Sequence, residues 1–330
     1  VASLVITPGG RLVSCLYLTE QDVESLLDMK SAVESMRDAF QRVADKLVNN
    51  VPRVRARGDG IVLHSMCAAD EGLGLVGWKQ YTTTAQGALF HVALYDQQSG
   101  SMRAMIAANR LGQMRTGAVT GLAAELLAGP GIEQAGLFGS GWQAESQLEA
   151  IVATCQLKRV WVYSRDEERR QQFCQQMSER LQVEVLASTE PKQAVEGMPL
   201  VVTMTTSREP VFSGQWLEEG SVVCAAGSNW LQKTELDRDT IAQAKVVVCD
   251  DVQACRGEAG DFSGACAAGD FQWEQAHELA AVVQQGADWR AEHPGRVVFK
   301  SVGLALEDVA LGGELLRRAE ERGVGTALPW

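Results

Sequence analysis

Apolar residues recur at helical spacing early in the chain: Val23, Leu26 and Leu27, then Val33, Met36 and Phe40. Thr19 followed three residues later by Asp22 has the form of a capping box, so a helix is expected to begin there. Over 61–107 the period changes. The stretches IVLHSM, LGLVGWKQYTTT and FHVALYD read as strands, and Gln98-Ser99-Gly100 as a turn into another, which predicts an antiparallel sheet. A helix of small residues follows over 108–127. Its Gly117, Ala118, Gly121, Ala123 and Ala124 permit close packing, and Gly129-Pro130 ends it.

From 134 to 251 the pattern alternates strand with helix. The strand candidates QAGLFGS, KRVWVYS, QVEVLAS, PLVVTMTT, GSVVCAAG and AKVVVCD are short and Val-rich, as strands buried on both faces of a parallel sheet must be. A helical stretch is expected over 273–285, a strand over 296–300, and a helix over 304–322 that packs back on the first part of the chain. The predicted fold class is α/β: a doubly wound Rossmann-type domain over 129–299, plus an α+β domain built from both chain ends, 1–128 and 300–330.

Gly139-Ser140-Gly141-Trp142-Gln143-Ala144 lies between a strand and a helix. Gly139 suits the tight turn, Gly141 lets backbone N–H groups approach a pyrophosphate, and Ala144 lets the helix pack close to its strand. The helix N-terminus supplies partial positive charge. The next strand ends at Ser164-Arg165, where an NAD-selecting site usually carries an acid for the ribose hydroxyl. Ser164 repels no phosphate and Arg165 can pair with one, which predicts NADP(H) as preferred cofactor with NAD(H) possible. The alternative is a solvated Arg165, with Asp166 reading the ribose rather than capping the following helix.

Charge then narrows the partners. Thirty Lys and Arg against 42 Asp and Glu leave the 330 residues at −12, which argues against nucleic acid or an anionic membrane surface. No apolar run approaches a membrane span. The first residues lack the basic start and unbroken apolar core of a secretory signal, and the eight scattered cysteines read as reduced thiols, so a cytoplasmic location is expected. Four histidines without a His/Cys cluster predict no metal centre.

Three motifs occur in a fixed order: Leu111-Gly112-Gln113-Met114-Arg115-Thr116-Gly117-Ala118, the Gly139 loop, and Phe299-Lys300-Ser301-Val302-Gly303 continuing to Ala305 and Asp308. With Pro52-Arg53, Lys79 and Lys233-Thr234-Glu235-Leu236, this set resembles the ornithine cyclodeaminase/mu-crystallin family over nearly the whole chain. The family includes cyclodeaminases, amino-acid dehydrogenases, ketimine reductases and crystallins, typically homodimers in which the split domain binds substrate and dimerises. Membership fixes the fold better than the reaction.

The resemblance implies that Arg53, Lys79 and Arg115 surround the substrate, that Thr116 borders the cofactor, and that Ser301 and Val302 sit by the nicotinamide. The chemistry agrees: guanidinium groups hold a carboxylate by paired hydrogen bonds, and a partly desolvated lysine near arginines can exchange a proton near neutral pH. The plainer readings are a snorkelling edge lysine for Lys79 and a surface arginine for Arg53, beside Arg55 and Arg57. Thr203, Thr205 and Thr206 follow a strand end where nucleotide contacts gather, though loop capping accounts for them nearly as well. Asn229 stands where the register to Lys233 places an aspartate in cyclodeaminases, and it cannot act as a carboxylate base. Glu258 and Asp261 have no legible role, and Cys67, where many relatives have proline, lacks any activating histidine pattern.

The leading expectation is therefore an NADPH-dependent reductase of a small cyclic imino acid, of the pyrroline- or piperideine-2-carboxylate type, with Lys79 and Asn229 as catalytic residues. An amino-acid dehydrogenase acting on a keto acid is adjacent. The rivals are an NAD-dependent cyclodeaminase, against which Asn229 and Ser164-Arg165 speak, and a non-catalytic crystallin-like binding protein, against which the three retained cations speak.

Overall fold

The computed structural model describes residues 15–329. The sequence reading of the first fourteen residues as lacking a secretory signal lies outside the described residues. The chain divides into two compact units, residues 1–115 with 304–330 and residues 116–303.

The first unit is a seven-stranded sheet in the order β15-β1-β6-β5-β4-β3-β2. Its strands are β1 (Cys15–Leu18), β2 (Val48–Gly58), β3 (Ile61–Asp70), β4 (Leu75–Thr84), β5 (Gly87–Asp96), β6 (Met102–Ala107) and β15 (Thr326–Leu328). Pairing is antiparallel throughout except between β1 and β6, so the sheet is mixed rather than purely antiparallel. The helix expected from Thr19 is two: α1 (Glu20–Leu26), whose capping box pairs Thr19 with Asp22, and α2 (Met29–Ala44), capped by Asp28. β2 is a strand that the apolar pattern does not announce. Pro52 and three arginines break its alternation, and the register shifts between Val51 and Val54, a bulge that accommodates Pro52 at the sheet edge.

One face of this sheet is the core. Alternate residues Met66, Ala68, Gly77, Val92, Leu94 and Ile106 are buried, with α11 (Ala305–Arg322) packed across β3, β4 and β5, and against α2. The C-terminal helix thus returns to the first part of the chain, as its apolar stripe predicts.

The second unit is an eight-stranded parallel sheet, β13-β12-β14-β11-β10-β7-β8-β9. In chain order the strands are β7 (Gln134–Phe138), β8 (Arg159–Tyr163), β9 (Glu184–Ala187), β10 (Leu200–Thr203), β11 (Val222–Ala225), β12 (Val246–Cys249), β13 (His277–Glu278) and β14 (Val297–Lys300). β10, β11, β12 and β14 are buried at every position, which is why they read as short valine-rich runs without polar alternation. The order reverses between β7 and β10, the switch point at which such sheets bind ligands. The helix expected over 273–285 is instead a short turn at Trp273–Gln275, the two-residue β13, and α9 (Leu279–Gln285). Helix α3 (Asn109–Leu127) crosses the division after Arg115. Its Gly117 would drive a Cβ to 2.3 Å from the Ser146 carbonyl of α4 (Trp142–Thr154), so the small residues do serve close packing.

Candidate active site

In the first unit, strand β4 carries Lys79 on the buried face, opposite Met66 of β3 and Val92 of β5. Its side chain is 2% exposed, and Nζ donates to Asp308 Oδ1 at 2.8 Å. Asp308 lies in the first turn of α11 and is wholly buried, as is Glu307 beside it. Arg115, from α3, donates through Nη1 to Glu307 Oε2 at 2.6 Å and through Nε to Asp308 Oδ1 at 3.2 Å. Asp308 Oδ1 therefore joins the lysine to the arginine. Gly112, one turn before Arg115, makes the room: a Cβ there would come within 3.1 Å of Lys79 Nζ. Arg53 sits in the β2 bulge, half-buried, with Nε on Met66 Sδ. The bulge gives this arginine its place on the inner face.

Electrostatics follow from that packing. Burial, helped by Arg115 and Arg53, pulls Lys79 down to about 8, while Asp308 pulls it back up. Burial opposes the charge on Arg115, but Asp308 and Glu307 outweigh it and hold the guanidinium firmly charged. A lysine that titrates near neutral pH, tied to one carboxylate and flanked by two guanidinium groups, is equipped to give a proton to a bound anion.

The second unit carries the glycine loop. Gly139 has φ +119° and a Cβ there would meet the Met204 carbonyl at 2.3 Å, so only glycine fits. Gly141 is the N-cap of α4 and supplies no side-chain cap, and Gln143 Oε1 is buried with no hydrogen-bond partner among the described residues. Uncapped N–H groups behind a glycine are the cradle a pyrophosphate needs, so the residues fit a dinucleotide. Ala144 is fully buried under the sheet. Ser140 donates to Ser164 Oγ at 2.9 Å, tying the loop to the end of β8. Arg165 is exposed, and Asp166 caps α5 (Glu167–Leu181) through Arg169 N.

At the far ends of β10, β11, β12 and β14 lies a buried polar network. Glu235 accepts from Thr203 Oγ1, Thr205 N and Gly227 N, while Lys300 pairs with Asp261 at 2.8 Å. Thr203 is fully buried with its hydroxyl committed to Glu235, so its side chain braces the loop. Asp261 is structural too, accepting from the backbone of Glu235 and Leu236. Asp250 Oδ2 accepts from Ser301 Oγ, Val302 N and Gly303 N, at 2.8 to 2.9 Å. Thr205, Asn229 and Thr116 are half-buried, Asn229 on the loop after β11 and Thr116 on α3.

Sequence reasoning assigned no role to Asp308, Glu307, Asp250 or Glu235. Asp308 belonged to a quoted motif, and an acid next to another at a helix start was the available signal.

A sequence profile of the ornithine cyclodeaminase/mu-crystallin family matches residues 14–322. The chain is 29% identical over 326 residues to a Δ1-pyrroline-2-carboxylate reductase of Bacillus cereus, covering 95% of this chain and 99% of that one. It is 30% identical over 319 residues to an alanine dehydrogenase of Archaeoglobus fulgidus, covering 95% and 98%. Its fold matches the structure of Thermococcus litoralis Δ1-pyrroline-2-carboxylate reductase in complex with NADH and L-proline, with a TM-score of 0.88, 27% identity, and coverage of 95% and 100%.

Proposed function

Because the chain belongs to the ornithine cyclodeaminase/mu-crystallin family, we propose that it is an NAD(P)H-dependent reductase of small cyclic imino acids. The observation that carries this is the buried Lys79–Asp308 pair with Arg115 and Arg53 beside it. A carboxylate entering this group meets Arg53, whose guanidinium can hold both oxygens. Arg115 is largely occupied with Glu307 and Asp308, so it sets the shape and charge of the site as much as it binds. Protonated Lys79 delivers its proton to the imine nitrogen, and Asp308 keeps the ammonium aimed. When bound, a reduced nicotinamide supplies the hydride. One hydride on carbon and one proton on nitrogen turn C=N into CH–NH.

The relatives support this class: reductases of Δ1-pyrroline-2-carboxylate match this chain along nearly its full length. Asn229 favours it over a cyclodeaminase, since an amide cannot serve as a carboxylate base. NADP(H) is the preferred cofactor in this reading, with Arg165 on the 2′-phosphate and the Gly139–Ala144 loop on the pyrophosphate. Ser301 and Val302, fixed by Asp250, border the nicotinamide.

Two further features belong to the same reading. The outer face of the first sheet exposes Val51, Val54, Ile61, Leu63, Val76 and Leu89, an apolar surface suited to a second copy of the chain, and the protein is a homodimer. All eight cysteines are free thiols, in keeping with a reducing cytoplasm, and no described helix is long and apolar enough to cross a membrane.

The test is the oxidation of NADPH and NADH, followed at 340 nm, with pyrroline-2-carboxylate, piperideine-2-carboxylate, or pyruvate plus ammonia as acceptor. Turnover of the cyclic imines is expected. Ammonia release from L-ornithine, with no imine reduction, would overturn the assignment.

A further inference from the structure

Helix α11 lies across the inner sheet face, and its first turn meets Lys79 through Asp308. Met66, Lys79, Val92 and Ile106 form one row across β3, β4, β5 and β6, and all are buried. The next row is His64, Tyr81 and Phe90, and there Tyr81 and Phe90 are only half-buried. These three are direct cross-strand partners whose rings stack. Their centroids are 4.1 Å apart at 7° between His64 and Tyr81, and 4.8 Å apart at 24° between Tyr81 and Phe90.

The ring row borders the lysine. Lys79 Nζ lies 5.3 Å from the Phe90 centroid and 6.0 Å from that of Tyr81. His64 is buried at the outer end of the stack and bonded to Thr83 Oγ1 at 3.2 Å. Its burial, with Arg55, Arg53 and Arg57 around it, pushes its pKa down to about 4, so the stack holds a neutral ring at neutral pH. Tyr81 is thereby held between two rings and keeps one orientation, which lowers the ordering cost of anything packed on its edge.

We propose that Tyr81 and Phe90 determine specificity, forming the apolar wall on which the ring carbons of a cyclic imino acid lie while its nitrogen faces Lys79. This rests on the reductase reading and adds which side chains select a ring. The imine of pyruvate has only a methyl group to set against such a wall and leaves most of it wet. A five- or six-membered ring covers it, and each methylene removed from water favours the cyclic acid.

The experiment compares Tyr81→Ala, Phe90→Ala and Tyr81→Phe with the unaltered enzyme. Two readouts are used. The first is kcat/KM for pyrroline-2-carboxylate against pyruvate plus ammonia. The second is the calorimetric affinity for pyrrole-2-carboxylate, a planar ring acid with no reducible imine. Each alanine variant is expected to lose about 10- to 200-fold in kcat/KM on the cyclic imine, and less than about threefold on pyruvate. Pyrrole-2-carboxylate should weaken in parallel, and Tyr81→Phe should stay within about threefold on every measure. Equal losses on both substrates, or unchanged pyrrole-2-carboxylate affinity, would overturn the wall, as would no binding of that acid to the unaltered protein. Melting temperature and NADPH affinity report folding. If an alanine variant fails to fold, Tyr81→Leu and Phe90→Leu keep bulk without the aromatic edge and make the same comparison. An unaltered protein that binds pyrrole-2-carboxylate through Tyr81 yet reduces no imine would overturn the reductase reading and uphold the wall.

Discussion

Lys79 Nζ and Asp308 Oδ1 meet at 2.8 Å with both side chains buried, although 229 positions separate them in the chain. Burial lowers the lysine to about 8 and the carboxylate opposes that fall, so the pair fixes where the proton leaves. The proposed proton transfer needs the protonated lysine. The rate should be level below pH 8 and decline as pH rises through about 8. In Asp308→Asn the raising influence is gone, so the decline should move to lower pH, while Lys79→Met should lose about 10²–10⁴-fold in kcat and the pH limb with it. Steady-state rates from pH 6 to 10 check both; an unshifted limb in Asp308→Asn would separate the pair.

Stability should carry the mark of the same lysine with a definite sign. Its folded pKa lies below the ordinary value of 10.5, so between about 8 and 10.5 the unfolded chain binds the extra proton. This residue alone makes the fold gain stability as pH rises through that window. Urea midpoints for the unaltered protein and Lys79→Met, taken at pH 7.5 and 10, should show the unaltered protein gaining stability relative to the variant at the higher pH.

Arg115 and Arg53 should fail differently on truncation. Removing Arg115 leaves Glu307 and Asp308 buried with reduced compensation, a change that typically costs about 3–5 kcal/mol. Arg115→Ala should therefore melt well below the unaltered protein. Arg53→Ala, from a half-buried edge bulge, should melt nearly normally and show a KM raised about tenfold or more. Calorimetric melting alongside kinetics separates them.

The two loop glycines offer a contrast in the other unit. Gly139→Ala forces a Cβ into the Met204 carbonyl at a backbone angle that alanine rarely adopts, and should destabilise the fold. Around Gly141 the nearest atom to a Cβ is Arg169 Nη2 at 3.9 Å, so Gly141→Ala should fold normally and weaken NADPH binding. Fluorescence titration of NADPH and NADH measures this. The same titration on Arg165→Ala should abolish any preference for NADPH while leaving NADH affinity unchanged.

Solution mass, from light scattering after gel filtration, tests the apolar sheet face. Twice the chain mass is expected. Leu63→Lys together with Leu89→Lys, both exposed on that face and opposite one another across Thr82, should shift the protein toward monomer.

The parallel sheet was readable because strands buried on both faces are rich in valine and lack polar alternation, as at Val246, Val247 and Val248. The Gly139 loop was readable because steric demands so tight leave no other residue. β2 was not, since Pro52 and its three arginines, Arg53, Arg55 and Arg57, erase its alternation. The partnership of Lys79 with Asp308 could not be read either: no local period connects positions so far apart, and Asp308 presents in the sequence as an ordinary acid in the first turn of a helix. Arg115 was legible as a charge near the site, and its engagement by Glu307 and Asp308 only from the folded chain.

The first unit is assembled from residues on either side of an insert running from Thr116 to Gly303. On the ribosome this imposes a calendar. The parallel sheet has all its strands once β14 is made, whereas the mixed sheet must wait for α11 to cover its apolar face. Until then Lys79 lacks the aspartate that will hold it, and Met66, Val92 and Ile106 lack the helix that covers their face. The consequence is that an uncovered apolar sheet face, a feature that favours aggregation and chaperone capture, persists through the stretch of synthesis just before α11 emerges, when the parallel-sheet unit is nearly complete and the mixed sheet has not yet closed.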